Sequence, residues 1–136
     1  MSLTFPIAIE PGDQHHAFGV VVPDLPGCFS AGDTMEEVLV KAREAILMHL
    51  EGMIEEGIEF PAVKSIEQHM TNLEFAGWIW AMIAVDDIRE TYQPIRVNIT
   101  IPKHLLNRID RHATTRHMTR SGLLADAARQ LLEMAD

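Results

Sequence analysis

One short stretch near the C-terminal end decides how the last third of the chain folds: Arg96-Val97-Asn98-Ile99-Thr100-Ile101-Pro102. Apolar and polar residues alternate strictly through it, which is the period of a strand with one buried face. The apolar face carries Val97, Ile99 and Ile101, and the polar face carries Arg96, Asn98 and Thr100. Pro102 cannot continue the strand but fits the first turn of a helix. The pattern therefore predicts a strand that ends where a helix begins.

Two helices are predicted after this strand. The first is expected over residues 103–112 and the second begins after the polar break at residues 114–117, where Thr119 or Ser121 can cap it. Apolar residues recur in both at helical spacing: Leu105, Leu106, Ile109 and Ala113, then Leu123, Leu124, Ala127, Ala128, Leu131 and Leu132.

One strand and two short helices cannot close a hydrophobic core, and a lone strand leaves an unpaired edge. A second copy of the chain solves both problems, because two strands then pair antiparallel while four helices pack around them. We therefore expect a homodimer through residues 96–136, with a tetramer as the larger alternative. The residues expected in the dimer core are Val97, Ile99, Ile101, Leu105, Ile109, Leu123 and Leu124.

The polar face of the paired strands has side chains suited to DNA bases. A two-stranded ribbon fits the major groove, where Arg can bind guanine, Asn can bind adenine and Thr can contact the thymine methyl. We predict base contacts by Arg96, Asn98 and Thr100. An edge strand with a polar outer face would show the same alternation, so the alternation by itself leaves both interpretations open.

The order of strand, proline, helix, polar turn and capped helix over residues 96–134 resembles the ribbon-helix-helix DNA-binding domains. In that family the N-terminus of the second helix faces a DNA phosphate, which suits its partial positive charge. The resemblance implies phosphate contacts by Met118, Thr119, Arg120 and Ser121.

Charge is distributed unevenly along the chain. Residues 1–95 contain 16 Asp and Glu against 4 Lys and Arg, a net charge of −12, whereas residues 96–136 contain 4 against 7, a net charge of +3. The C-terminal part can therefore approach phosphate, while the N-terminal part is expected to repel nucleic acid and attract a basic protein. An acidic surface that only aids solubility is the other interpretation.

The composition limits which cellular compartment and which kinds of site are expected for this protein. The single cysteine, Cys28, excludes an intramolecular disulfide framework and is expected to be a buried structural thiol. Residues 1–11 lack a basic n-region, and the longest apolar run, residues 75–85, is too short to span a bilayer. The seven histidines have no zinc-finger spacing with cysteine. We expect a cytoplasmic protein with no membrane association, metal or cofactor.

The sequence pattern of the first 87 residues predicts the element order β-β-β-α-β. The chain is therefore expected to have an α+β fold. Pro6 is expected to place the first strand at a sheet edge or at a strand start. Thr34 and Glu37 have capping-box spacing, and Gly57 is a C-cap candidate, so a helix is expected over residues 34–56. The remaining expected elements are strands at 3–10, 17–22 and 28–31, a helical turn at 65–70, and a fourth strand within 73–85 that is buried on both faces. Residues 88–95 are the predicted linker to the domain at 96–136.

Four motifs follow one another in this part: Asp24-Leu25-Pro26-Gly27-Cys28, then Ser30-Ala31-Gly32-Asp33-Thr34, then Ala42-Arg43-Glu44-Ala45, then Glu56-Gly57 with Pro61. Together they resemble the HicB antitoxins of bacterial toxin–antitoxin pairs. With the C-terminal pattern, the resemblance covers nearly the whole chain. It implies a partial ribonuclease H-like fold for residues 1–87 and a ribbon-helix-helix (β-α-α) domain for residues 96–136.

The resemblance also implies a function without catalysis. HicB proteins bind HicA, a small basic toxin that cleaves mRNA, shield its active site and repress their own promoter as part of a type II pair. An acidic domain could mimic the phosphates that such a toxin binds. The candidate toxin-binding residues are Asp24, Asp33, Glu36 and Glu37.

A metal-dependent ribonuclease H-like nuclease fused to a DNA-binding tail is the alternative. Such enzymes hold two metal ions with clustered carboxylates. Asp13, Asp24 and Asp33 lie in or beside predicted turns, where turn formation and helix capping are the simpler roles. Trp78 and Trp80 are expected to pack in a core or an interface.

Overall fold

Four antiparallel strands form one sheet in the first part of the chain. The computed structural model describes residues 1–135, which divide into one unit of Met1–Pro94 and a second unit from Ile95 onward. The strands are β1 Ser2–Glu10, β2 Phe18–Val21, β3 Phe29–Gly32 and β4 Ile79–Asp86. They lie in the order β3-β2-β1-β4. With one long helix between β3 and β4, the predicted order β-β-β-α-β is confirmed.

The placement of β1 corrects the prediction made from Pro6. β1 lies in the middle of the sheet, between β2 and β4, and Pro6 is fully buried. Pro6 is opposite Met82 of β4, whereas the ladder between β1 and β2 extends only from Glu10 back to Ala8. The missing amide hydrogen of Pro6 is tolerated because no β2 ladder passes that point.

The long helix α1, Met35–Glu55, has both predicted ends. Thr34 caps it, since its Oγ1 accepts the Glu37 N–H at 3.1 Å, while a Glu37 carboxylate oxygen accepts the Asp33 N–H at 3.2 Å. At the other end Gly57 has a φ of 72°. The Gly57 and Ile58 amides then donate to carbonyls of the last turn, at 3.1 and 2.8 Å, so the helix ends in a Schellman motif.

The core of the first unit lies between α1 and one face of the sheet. α1 contributes a stripe with a four-residue repeat, and each member has no solvent exposure: Val38, Ala42, Ile46 and Leu50. The sheet contributes residues of β1, β2 and β4: Phe5, Ile7, Ile9, Val20, Ile83 and Val85. Gly32 of β3 is close to this helix, because a Cβ there would lie 3.0 Å from the Val38 amide nitrogen.

The segment before β4 differs from the prediction of one strand over residues 73–85. It forms a 3-10 helix, Leu73–Phe75, and a turn before β4 begins at Ile79. Within β4, Ile83 and Val85 are buried but Met82 is 51% exposed, so the prediction that both faces are buried is wrong. The strand was predicted too long because aromatic residues, which favour strands, are frequent in this segment. One of them, Phe75, lies in the 3-10 helix instead. The predicted helical turn is confirmed as α2, Ile66–Met70, with a capping box at Ser65.

Two helices, α3 Lys103–Thr115 and α4 Arg120–Ala135, form the second unit. α3 continues through Thr114 and Thr115, where a polar break was predicted. Their hydroxyls donate to the carbonyls of residues 110 and 111 at 2.9 Å, so these threonines are satisfied inside the helix. Thr119 caps α4, because its Oγ1 accepts the Gly122 N–H at 3.0 Å.

Residues 95–101 have no regular secondary structure in the part of the chain that the structure describes. All of them are exposed except Ile101, which is half-buried. A strand is defined by its hydrogen bonds to a neighbour, and the neighbour expected here belongs to a second copy. The ribbon strand therefore stays a prediction. Across residues 1–135, no helix has the length and apolar character needed to cross a membrane.

Candidate functional site

Acidic side chains collect where β3 passes into α1. Asp33 and Glu36 are exposed, and Glu37 is half-exposed. Lys41 Nζ lies 2.7 Å from Glu37 Oε1. This hydrogen bond from Lys41, together with the Asp33 amide, lowers the pKa of Glu37 below its ordinary value. Of the predicted toxin-binding residues at this place, Glu37 is thus already paired, and Asp33 and Glu36 present carboxylates to solvent.

Asp24, the fourth predicted toxin-binding residue, has a different environment. Its side chain is 3% exposed, and one carboxylate oxygen lies 3.0 Å from Nε2 of His69. The other oxygen accepts the Lys64 N–H at 3.1 Å. The carboxylate therefore joins the turn after β2 to the start of α2. This geometry gives Asp24 a role in holding two segments together, with little surface for a partner to touch.

An aromatic cluster surrounds the Asp24–His69 pair. The His69 ring is stacked on Trp80 with centroids 6.1 Å apart, and Phe75 meets Trp80 edge-on at 5.6 Å. Phe75 also contacts Trp78 at 5.2 Å. Both tryptophans were expected to pack in a core or an interface; in the structure both are half-buried in this aromatic cluster, outside the main core. Cys28 is also buried, and burial raises the pKa of its thiol.

A groove of about 440 Å³ lies beside this cluster. One wall is the turn containing Leu25 and Pro26, and the other is formed by His69 and Phe75. Phe29 of β3, which is 65% exposed, stands at its edge. Sequence analysis missed this groove, because its walls come from segments more than 40 residues apart. A signal that could have pointed to it is Phe29, a large apolar residue in a short strand.

The predicted base-contacting residues Arg96, Asn98 and Thr100 all lie in the exposed segment before α3. Their apolar neighbours are exposed too, since Val97 retains 71% and Ile99 retains 63% of its accessible surface. Exposed apolar residues that are grouped together often mark a surface that binds another molecule. Both sets remain predictions, because the second strand of a ribbon must come from another copy.

The predicted phosphate-contacting residues lie around the first turn of α4. The Arg120 guanidinium makes two hydrogen bonds of 2.9 Å to the Asp110 carboxylate of α3. This pairing lowers the pKa of Asp110 and raises that of Arg120. Thr119 is used as the helix cap, Met118 is half-buried and Ser121 is exposed. Arg120 thus already has a carboxylate partner, which the sequence analysis did not foresee.

The predicted dimer-core residues of α3 and α4 lie together. Leu105 and Ile109 of α3 face Leu123 and Leu124 of α4 across a groove of about 510 Å³. Leu105 is 44% exposed, and the other three are half-buried. The helix pair therefore has an apolar surface that it does not cover by itself.

Acidic and imidazole side chains are dispersed elsewhere. Within residues 1–135, no three His, Cys, Asp or Glu side chains are grouped so as to hold a metal ion. Asp13 is occupied by local turn contacts, since its Oδ1 accepts the amides of His15 and His16 at 2.7 and 2.8 Å. The pKa of Asp13 is lowered by these hydrogen bonds, chiefly that from the His15 amide.

Comparisons with known proteins agree with this architecture. The model of a family described as HicB_like antitoxin of bacterial toxin-antitoxin system matches residues 5–128. An uncharacterized 14.9 kDa protein of Haemophilus phage HP1, from the rep-hol intergenic region, is 39% identical over 128 residues, which span 93% of this chain and 95% of that protein.

Solved structures extend the likeness to three dimensions. The Burkholderia pseudomallei antitoxin HicB is 39% identical, with a TM-score of 0.59 and coverage of 93% of this chain and 96% of that one. The antitoxin HicB3 is 28% identical, with a TM-score of 0.55 over 94% of this chain and 96% of that one. A chain of a HicA3 and HicB3 toxin–antitoxin complex is also 28% identical, with a TM-score of 0.50 over 60% of this chain and 95% of that one. Since the family model spans most of its length, the chain belongs to the HicB-like antitoxin family of bacterial toxin–antitoxin systems.

Proposed function

We propose that this chain is the antitoxin of a type II pair, which binds and masks a HicA-type mRNA-cleaving toxin and represses its own operon. The observation that carries the proposal is the family match over residues 5–128, which includes both units. The proposed antitoxin acts by binding and has no catalytic step of its own.

The first unit is the proposed toxin-binding part. Its net charge of −12 suits a basic RNA-binding partner, and complementary charge speeds the encounter of two proteins. A solved complex of HicA3 with HicB3 is among the similar structures, which supports a toxin as the partner. Asp33, Glu36 and Glu37 are the proposed acidic contacts. We assign a partial ribonuclease H-like fold to this unit.

The second unit is the proposed DNA-binding part. Its net charge of +3 and its uncovered apolar residues support a ribbon-helix-helix dimer, in which Val97 and Ile99 of two copies pair over the α3–α4 groove. Arg96, Asn98 and Thr100 would then face the major groove, with the start of α4 towards a phosphate.

The toxin-binding proposal is tested by co-expression. The chain is produced with the basic protein encoded in the neighbouring reading frame, and both growth and co-purification are measured. We expect that the basic protein alone arrests growth and cleaves mRNA, and that this chain restores growth and co-purifies. A neighbouring frame without a basic protein, or a basic protein that does not bind, would refute the proposal. Cleavage of RNA by this chain alone would favour the nuclease alternative.

The DNA-binding proposal is tested with Asn98→Ala. Loss of a paired base contact is expected to weaken operator binding by about 1–3 kcal/mol and to relax sequence preference at one position. The measurement is a gel-shift titration on the operon's own promoter at fixed salt. Asn107→Ala in α3 is the matched control, because Asn107 is exposed in the same unit and lies outside the predicted ribbon. Equal affinities for the two variants would contradict the ribbon.

A further inference from the structure

The face of the sheet that lies away from α1 has its own apolar row. Strand register places Phe29 opposite Val21, Val21 opposite Ala8, and Ala8 opposite Trp80. Residues directly opposite each other in a ladder share one face of the sheet. Adjacent strand residues point to opposite faces, and Ile9 and Val20 belong to the core under α1. The row formed by Phe29, Val21, Ala8 and Trp80 therefore lies on the face away from α1. A second apolar surface therefore crosses all four strands.

This row is covered at one end and open at the other. The Trp80 end is closed by His69 and Phe75, whose rings pack on the indole at 6.1 and 5.6 Å. Phe29 at the opposite end remains 65% exposed. Between them is the groove of about 440 Å³, with Val21 as part of its lining. The size suits one or two large side chains of a partner.

Buried polar contacts fix the two walls of the groove. Asp24, in the turn that forms one wall, contacts His69 at 3.0 Å and the Lys64 amide at 3.1 Å in the other wall. Because the Asp24 carboxylate joins the turn to the segment of Lys64 and His69, the two sides of the groove are connected before a partner arrives. A preformed groove loses less conformational entropy on binding than a flexible one, and this favours affinity.

The net charge of the first unit as a whole favours a cationic partner. Glu74 lines the groove and is opposed there by the cationic side chain of Lys64, so the groove itself has no excess of acidic residues. His69 also lines it, and its ring lies against Asp24. With a net of −12 over residues 1–95, the surrounding potential attracts a basic protein.

We infer that this groove receives an apolar side chain of the basic toxin, while the cationic surface of the toxin faces the acidic surface of the first unit, which includes Glu74 beside the groove. The inference rests on the proposed function and adds to it the place where the toxin is held. Charge then directs the approach, and insertion beside Phe29 holds the complex together.

The test compares Phe29→Glu with Met48→Glu. Met48 is 73% exposed on α1, which packs on the other side of the sheet, so both variants add one negative charge at an exposed apolar position. We expect Phe29→Glu to weaken binding of the basic protein from the neighbouring frame by about thirtyfold or more, as for an aromatic residue that contributes strongly to an interface. Met48→Glu should stay within about twofold, and Phe29→Leu should retain most of the affinity. Thermal unfolding checks that all variants are folded.

Each result has a defined meaning. If the unmodified chain does not bind the basic protein, the proposed function fails. If it binds but the two glutamate variants bind alike, only the groove inference fails, because the contact would then be one of charge alone. If Phe29→Glu binds the toxin normally but lowers the oligomeric state in sedimentation, the groove is occupied by a second copy and the inference is wrong.

Discussion

The two units of this chain differ in how far each completes its own core. In the first unit thirteen buried hydrophobic residues form one cluster between α1 and the sheet. Among the described residues of the second unit, only Ala113 is buried, and Val97, Ile99 and Leu131 keep 71%, 63% and 66% of their surface exposed. The first unit covers its core within one chain, whereas the second leaves large apolar side chains exposed. That contrast supports the second copy proposed for the DNA-binding part.

The largest expected effect is in the completed core. Ile46 has no exposure and lies in the middle of the α1 stripe. Ile46→Ala should lower the free energy of unfolding of the first unit by about 2–5 kcal/mol, because the neighbouring side chains cannot fill the cavity. Urea unfolding followed by circular dichroism measures the change. Met48→Ala, on the exposed side of the same helix, should stay within about 0.5 kcal/mol. A similar loss in both variants would show that the stripe is not the core.

An effect of intermediate size is expected on the stability of the second unit when the protein concentration is changed. If a second copy covers Val97 and Ile99, each tenfold dilution should destabilise the second unit by about 1.4 kcal/mol, whereas the first unit should not respond. Ile99→Asp should remove this dependence and yield monomers in sedimentation. Asn107→Asp, which adds the same charge at an exposed position of α3, should leave the assembly intact. If the unmodified chain were monomeric at high concentration, no second copy would cover the second unit, and the proposed difference between the units would be wrong.

The smallest expected effect is on the stability of the first unit at acidic pH. Arg89 makes hydrogen bonds of 2.9 and 2.6 Å to Asp87, and these hold the pKa of Asp87 at about 2. A folded-state pKa below the unfolded value stabilises the fold above that unfolded value, and the contribution is lost as pH falls from about 4 towards 2. Asp87→Asn should therefore flatten this part of the stability–pH curve of the first unit. The urea midpoint at pH 5, 4, 3 and 2 measures it, and parallel curves would contradict the assignment.

Local signals predicted α1 accurately because they act within a few residues. Thr34 at the start and Gly57 after the end both specify backbone conformations of their own neighbourhood, and the structure has the helix between them. The same holds for the Ser65 cap of α2. Capping chemistry is therefore the part of this fold that is best predicted from sequence.

The edge prediction for Pro6 was wrong, and two side-chain contacts were not foreseen, because in each case a distant segment determines the outcome. Pro6 indicated an edge, but its tolerance depends on how far the β2 ladder extends. The contact of Asp24 with His69, 45 positions later, was not foreseen, and the toxin contact predicted for Asp24 stays a prediction. The pairing of Arg120 with Asp110 was not foreseen either, because it depends on how α3 and α4 pack, and the phosphate contact predicted for Arg120 stays a prediction. Patterns of sequence spacing cannot predict these contacts, because each depends on tertiary packing.

The central place of β1 has a consequence for how the protein is made. Eight register pairs join β1 to β4, from Ser2 with Asp86 to Ile9 with Ile79. A ribosome adds about 5–20 residues per second, so the first strand waits roughly 4–15 s for the strand that covers its second side. During that interval the nascent chain carries an open apolar edge, which proteases and other chains can reach. A message cut before codon 79 would yield only fragments that never close this edge.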